Sequence, residues 1–254
     1  MKGQDKTMGK VALCLYGVAG HGSTMRFRSA ETSHGYLAGI ESIKKNIIDA
    51  NGGSDCVDVF IHSWNPELQE EMQEAYSTKS ILCEDPIYPN FKHSIPTNMA
   101  DNNRVQRMFS RWYSQKYSNV LKEEYETKNG VKYDWVISSR FDIQYRTPFN
   151  LKELDNTKFY TPFWKVSCGH ADCYHFSNSE TMNKFNYLYD YLDEYHKPDS
   201  ELIQCFRSGK HWSSSSTQLV SNHIVSKWHL DVTMKHRIHH EFFGKEDIDW
   251  KVVT

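Results

Sequence analysis

The chain has no apolar run approaching the about 18 residues that cross a bilayer, and Met1 to Lys10 is polar and basic without an apolar signal core. The expectation is a cytoplasmic protein with no transmembrane segment. It also has little net charge: Lys and Arg total 30 against 32 Asp and Glu, for a balance of -2. A nucleic-acid partner is therefore not expected, because no global basic field is present and any phosphate contact must be local. Cysteine is sparse. Cys14, Cys56, Cys83, Cys168, Cys173 and Cys205 are scattered and mostly lie in apolar runs, the setting of reduced thiols, so no disulfide is expected. No internal repeat, low-complexity tract or flexible linker divides residues 1–254, which reads as a single domain. Aliphatics are modest, with a mean hydropathy of -0.69. Aromatics are not: Phe, Tyr and Trp make up 14%, enough for a packed core and for a pocket that stacks the flat faces of sugars or bases.

Short apolar runs alternate with helical patterns. Lys10 to Tyr16 reads as a first strand, opening into Gly17-Val18-Ala19-Gly20-His21-Gly22, where glycines let a backbone approach a ligand closely. Leu37, Ile40, Ile43, Ile47 and Ile48 recur at helical spacing between Glu31 and Ala50, and Gly52-Gly53 stops them. Val57 to Ile61 is a second strand, ending in His62 and Trp64. Pro66 to Tyr76 is a short acidic helix, and Ser80 to Cys83 a third strand. A proline-bearing loop, Glu84 to Asn103, precedes a helix to about Glu124 that turns Val105, Met108, Phe109, Trp112, Tyr113 and Val120 inward and puts Arg104, Arg107 and Arg111 on another face. After the strand containing Trp135, Val136 and Ile137, Lys158 to Phe163 is a further strand. Ser177-Asn178-Ser179-Glu180 matches a capping box opening a helix with Met182, Phe185, Leu188, Tyr189 and Leu192 on one stripe. A shorter helix begins near Ser200, and Lys227 to Met234 is β-like. The fold class is α/β, Rossmann-like, with a mostly parallel central sheet flanked by helices.

The apolar run from Tyr133 breaks abruptly at Arg140 and Asp142, where open α/β sheets collect ligands. Arginine suits phosphate oxygens, and aspartate is a hard ligand for Mg²⁺ or Mn²⁺. A strand-end salt bridge is the plain alternative. Because Gly17, His62, Trp64 and the Arg140/Asp142 segment all follow predicted strands, they are expected to converge at one sheet edge. Cys168, His170, Cys173 and His175 match no usual zinc spacing, and strand alternation would turn the first pair away from the second.

Four stretches, KVALCLYG, DVFIHSW (Asp58 to Trp64), YDWVISSRFDI (Tyr133 to Ile143) and ADCYHFSNSETM (Ala171 to Met182), together resemble small viral and bacterial glycosyltransferase-like proteins of the GT-A type that use nucleotide sugars. The resemblance implies a GT-A-like domain whose nucleotide-binding half is about residues 10–145 and whose acceptor-binding half is about 146–254. It implies a nucleotide-sugar donor, most simply UDP-linked, and a glycan, glycoprotein or other hydroxyl acceptor. Arg140 and Asp142 fall at the place of the family's Asp-x-Asp metal motif, with arginine replacing the first carboxylate. Asp142 then holds a divalent cation (Mn²⁺ or Mg²⁺) or the donor sugar, with His239 as a further metal ligand, and Arg140 neutralises diphosphate. Gly17, Val18, His62, Trp64, Arg107 and Arg111 are assigned to the nucleotide side. Asp172 is the expected catalytic base beside Asp142, with Glu201 a second acceptor-side carboxylate.

The replacement by Arg140 leaves open a carbohydrate-binding protein that keeps the fold without catalysis. A metal-dependent phosphohydrolase fits less well, since two-metal sites need several ligands and one carboxylate follows the key strand.

Overall fold

The computed structural model describes residues 9–19, 35–87, 102–141, 143–161, 173–200, 203–204, 232–233 and 240–242, with the backbone alone at 35–38, 102–107, 232–233 and 240–242. Among these residues a seven-stranded sheet runs in the order β3-β2-β1-β4-β7-β6-β8. Its members are β1 (Val11–Gly17), β2 (Val57–Ser63), β3 (Ser80–Cys83), β4 (Trp135–Arg140), β6 (Phe159–Tyr160), β7 (Tyr174–Ser177) and β8 (Val232–Thr233). The strands β3, β2, β1 and β4 are mutually parallel, whereas β7 runs antiparallel to β4 and β6. A separate antiparallel pair joins β5 (Ile143–Tyr145) to β9 (His240–Phe242).

The continuous apolar runs of β1 and β2 are buried on both faces, as central parallel strands require. Leu13, Val59 and Ile137 on one face pack with Ile40, Ile43 and Ile47 of the first helical segment and with Met72 and Tyr76 of α2 (Gln69–Tyr76). That segment is α1 (Gly35–Ile43), which loosens into a π turn through Ile48 and a 3-10 turn through Asn51 before Gly52, at φ 97°, ends it. Ala12, Cys14, Phe60 and Val136 on the other face meet Met108, Phe109 and Trp112 of α3 (Asn102–Asn129), and Met182 and Phe185 of α4 (Ser179–Asn186). A further helical turn, α5 (Leu192–Tyr195), follows a 3-10 segment.

Several expectations change. Helix α3 is longer than its apolar stripe predicts, and Val120 is half-buried while Ser114, Gln115, Ser118, Asn119 and Lys122 are buried. The seam between α3 and α4 is polar: Gln115 Nε2 donates to Asn186 Oδ1 at 2.8 Å, and Asn186 Nδ2 donates to Asn119 Oδ1 at 3.0 Å. Lys122 Nζ donates to Ser179 Oγ, Asn183 Oδ1 and Glu126 Oε2 at 2.7, 2.6 and 2.9 Å. Asn178, not Ser177, caps α4, accepting the Thr181 N–H at 2.9 Å, because Ser177 is still in β7. Over 158–161 only Phe159–Tyr160 is strand, and β8 occupies two residues of the predicted terminal segment. Cys14, Cys56, Cys83 and Cys173 are free thiols, and burial pushes the Cys14 thiol up to about 12. Among the described residues no helix is long and apolar enough to cross a membrane.

Candidate functional site

The chain leaves β1 toward β2 and β3, then returns through α3 to β4 on the other side of β1. The β1/β4 boundary is thus the topological switch point, where carboxyl ends of parallel strands diverge and leave a crevice. Register sets Tyr16 opposite His62 on one side and Arg140 on the other. Strand alternation turns all three toward α3, since Ala12, Cys14 and Val136, an even number of residues earlier, pack on that face. One residue past β3, the Glu84 N–H extends the ladder to Ser63 O at 3.0 Å. Across four adjacent strand ends the α3 face therefore presents carboxylate, imidazole, phenol and guanidinium in the order Glu84, His62, Tyr16, Arg140.

Helix α3 runs antiparallel to these strands, with Ser114 beside Gly17 and Glu126 beside Tyr133 at the opposite edge. Its N-terminal turns therefore lie at the carboxyl edge, with the helix dipole's positive end toward it. From one such turn Arg111 Nη2 donates to the Tyr16 hydroxyl at 3.0 Å, and its guanidinium carbon lies 4.0 Å from the Trp112 ring centroid. Tyr16 is buried, whereas Arg111 and Arg140 are half-buried. The Arg140 N–H donates to Cys173 O at 3.3 Å, tying the end of β4 to the entry of β7. The Arg111 guanidinium thus reaches Tyr16 from α3, and Arg140 stands in register beside it on β4, an arrangement suited to a multiply charged anion.

Gly17 ends β1 at φ 108°, a conformation that strains any side chain with a Cβ. Its N–H is not presented to a ligand, because it donates to Ser114 Oγ at 2.8 Å, and its carbonyl accepts the Trp64 N–H at 3.2 Å. Beyond half-buried Val18, the Ala19 N–H donates to Asn65 Oδ1 at 2.9 Å. The start of this loop is anchored to the end of β2.

His62 and Trp64 sit at the expected edge but do not line an open surface, since they are 0% and 5% exposed. Trp64 stacks on Tyr113 with centroids 5.3 Å apart, and Tyr113 stacks on Tyr117 at 4.2 Å. The indole therefore supports the site from behind and offers no free stacking face. His62 Nδ1 lies 2.8 Å from Ser114 Oγ, and Nε2 lies 3.0 Å from Glu84 Oε1. Burial holds His62 below its ordinary pKa of 6.5, opposed by Glu84. In the neutral form Nε2–H donates to Glu84 and Nδ1 accepts the Ser114 hydroxyl; in the cation Nδ1–H donates to Ser114, which turns its proton to the His62 carbonyl 3.2 Å away.

Of the predicted site residues, the structure brings Gly17, Val18, His62, Trp64, Arg111 and Arg140 to one edge. Asp142, Asp172, His239 and Glu201 lie outside the described residues, as do Gly20, His21, Gly22, Cys168 and His170, and the Arg104 and Arg107 side chains. Among the described residues no group of three or more His, Cys, Asp or Glu is placed to hold a metal. Strand β9 brings His240 opposite Tyr145, the end of β5 remote from the β4 turn. Sequence reasoning missed Glu84, Tyr16, Ser114 and Tyr113. The Glu84 position was available as the first residue after the third parallel strand, and Ser114 as the residue about one turn beyond Arg111 on the same helix.

No family model matches the chain, and no curated protein matches it. Among solved structures it is similar, at a TM-score of 0.44 and 11% identity, to a Desulfovibrio desulfuricans G20 protein provisionally named a nucleotide-diphospho-sugar transferase, over 89% of this chain and 80% of that one.

Proposed function

We propose that this protein transfers a sugar from a nucleotide-diphosphate donor, uridine-linked in the simplest case, to a hydroxyl of a glycan or glycoprotein acceptor. The observation that carries the reading is that two arginines share the switch point of the sheet, Arg111 bonded to the Tyr16 hydroxyl and Arg140 in register beside Tyr16 on β4. Departure of a nucleoside diphosphate from a sugar concentrates charge on the leaving oxygens, and preorganised cations at that position lower the barrier. Arg140 and Arg111 take that task. Asp142, two residues beyond Arg140, is assigned to the donor sugar or to a Mn²⁺ or Mg²⁺ ion, which when bound would neutralise further diphosphate charge. Asp172 is assigned as the base that takes the acceptor proton if the reaction inverts.

The test is a thermal-shift titration with uridine, UDP and a panel of UDP-sugars, with and without Mn²⁺, followed by a sugar-release assay on the donors that bind. A ligand that binds only the folded chain raises its melting temperature. Diphosphates should stabilise and uridine should not; equal shifts would remove the anion clamp. Binding of a UDP-sugar with no release to water or acceptor would favour the non-catalytic carbohydrate-binding reading, for which Arg140 in place of a metal-binding carboxylate is the supporting feature.

A further inference from the structure

We propose that Tyr145 is a positioning residue for the anion clamp, its hydroxyl closing the turn after β4 so that Arg140 is presented to the diphosphate in one orientation. This rests on the nucleotide-diphosphate reading above and identifies what holds the arginine's backbone still.

The first support is a hydrogen bond across the base of the turn. The Ser139 hydroxyl donates to the Arg140 carbonyl at 3.1 Å, so in the 2.6 Å contact between Ser139 Oγ and the Tyr145 hydroxyl the phenol is the donor. Ser139 and Tyr145 are both buried, and Tyr145 is the last residue of β5. The two sides of the turn are thereby tied together directly behind Arg140. Strand alternation puts Ser139 on the face of Ile137, which packs toward α1, and leaves the opposite face to the arginine. Packing alone does not call for this hydroxyl. The Tyr145 ring lies edge-on to Phe149 and Tyr174, with centroids 5.1 and 5.6 Å away, and phenylalanine would make the same contacts.

The second support is the grip of the first helical segment on the Tyr145 backbone. Ser42 Oγ accepts the Tyr145 N–H at 3.0 Å, and Asn46 Nδ2 donates to the Tyr145 carbonyl at 2.8 Å. Asn46 lies in the π turn, and its own carbonyl accepts the Phe149 N–H at 2.8 Å. Ser42 and Asn46 are buried among isoleucines, where a polar side chain is costly unless its bonds are made. Here those bonds go to the segment that follows Arg140. Tyr145 is therefore held at both ends, its backbone by the helix and its hydroxyl by β4. An arginine whose backbone is already fixed has less ordering to undergo when an anion arrives, which favours binding without any added contact.

The experiment is a double-mutant cycle on the full chain, with UDP affinity measured by calorimetric titration for the native protein, Tyr145→Phe, Arg140→Ala and the double variant. Circular dichroism and the melting temperature check that each is folded. Tyr145→Phe should weaken UDP binding about 3- to 10-fold, the range for one lost hydrogen bond, and should change it by less than about twofold once Arg140 is alanine. Ser139→Ala deletes the same bond from β4 and should show the same loss with the same dependence on Arg140, which decides the matter if Tyr145→Phe does not fold. Native affinity in the folded variant, or an equal loss with and without Arg140, overturns the positioning role and leaves the diphosphate reading standing. If neither variant folds, the bond serves the fold and the role is likewise overturned. Failure of the native chain to bind UDP overturns both.

Discussion

Gly39 packs so tightly beneath the end of β4 that a Cβ built on it would lie 2.8 Å from the carbonyl oxygen of Phe141. Helix α1 therefore bears directly on the residue following Arg140. In an unconstrained helix Gly→Ala stabilises by about 1 kcal/mol. Here the methyl group meets backbone, which cannot rotate aside, and overpacking costs about 1 to 3 kcal/mol. The second effect wins. Gly39→Ala should lower the free energy of unfolding by a net of up to about 2 kcal/mol, read as a lower urea midpoint, and weaken UDP binding by displacing the Arg140 turn. A stabilised variant with native affinity would show that the turn gives way freely.

Lys122 is 0% exposed, and three partners from α3 and α4 hold its ammonium group. Removing one member of a buried ion pair leaves the other charge uncompensated and costs about 3 to 5 kcal/mol. Lys122→Ala should destabilise the chain by that order in equilibrium denaturation, although it lies far from the strand ends. A loss under about 1 kcal/mol would mean that water replaces the ammonium group.

These two positions mark where the sequence was and was not legible. The strands β1, β2 and β4 were visible because central parallel strands are apolar on both faces, and Arg140 stood out because it broke such a run. Three strand ends could thus be placed at one edge without knowing the topology. Of the inner face of α3 only the apolar part, Met108, Phe109 and Trp112, was visible. A periodicity read from apolar residues passes over Gln115, Asn119 and Lys122, whose burial depends on polar partners that α4 supplies from far along the chain. Trp64 misled for a related reason: its position at the edge was right, but Tyr113 covers the face that an isolated indole would offer. Glu84 acquires meaning only when β3 lies beside β2 and brings it to His62.

The buried His62 makes stability depend on pH in a definite direction. Burial lowers its pKa in the folded state, so the unfolded chain binds more protons between the folded value and the ordinary 6.5. Stability attributable to His62 is then complete above about pH 6.5 and declines as pH falls toward the folded value, below which it changes no further. Denaturation midpoints measured between pH 8 and pH 5 should fall toward the acid end, and His62→Asn should remove part of that slope. A midpoint that rises on acidification, with the rise lost in His62→Asn, would mean that Glu84 outweighs burial.

Asp142→Asn tests the chemistry assigned to the residue beyond the β4 turn. A polar residue at a strand end carries little packing energy, so substitution should leave the melting temperature within a degree or two while abolishing sugar release from bound donor. Near-native turnover would remove Asp142 from the reaction.

Arg140 gives the sharpest test of the anion clamp, because it distinguishes a ligand role from a structural one. Arg140→Ala should weaken UDP binding by about 1.5 to 3 kcal/mol, or one to two decades, while leaving uridine unaffected, since only the diphosphate carries the charge being neutralised. Arg111→Ala should weaken the diphosphate too, with an added loss of stability because Arg111 also holds the Tyr16 hydroxyl. If Arg140 serves only to tie β4 to its neighbours, its removal should lower stability and leave the preference for UDP over uridine unchanged. Titrations with both ligands, repeated with Mn²⁺, separate these outcomes. Should Mn²⁺ restore the affinity lost in Arg140→Ala, cation and guanidinium act on the same phosphate oxygens.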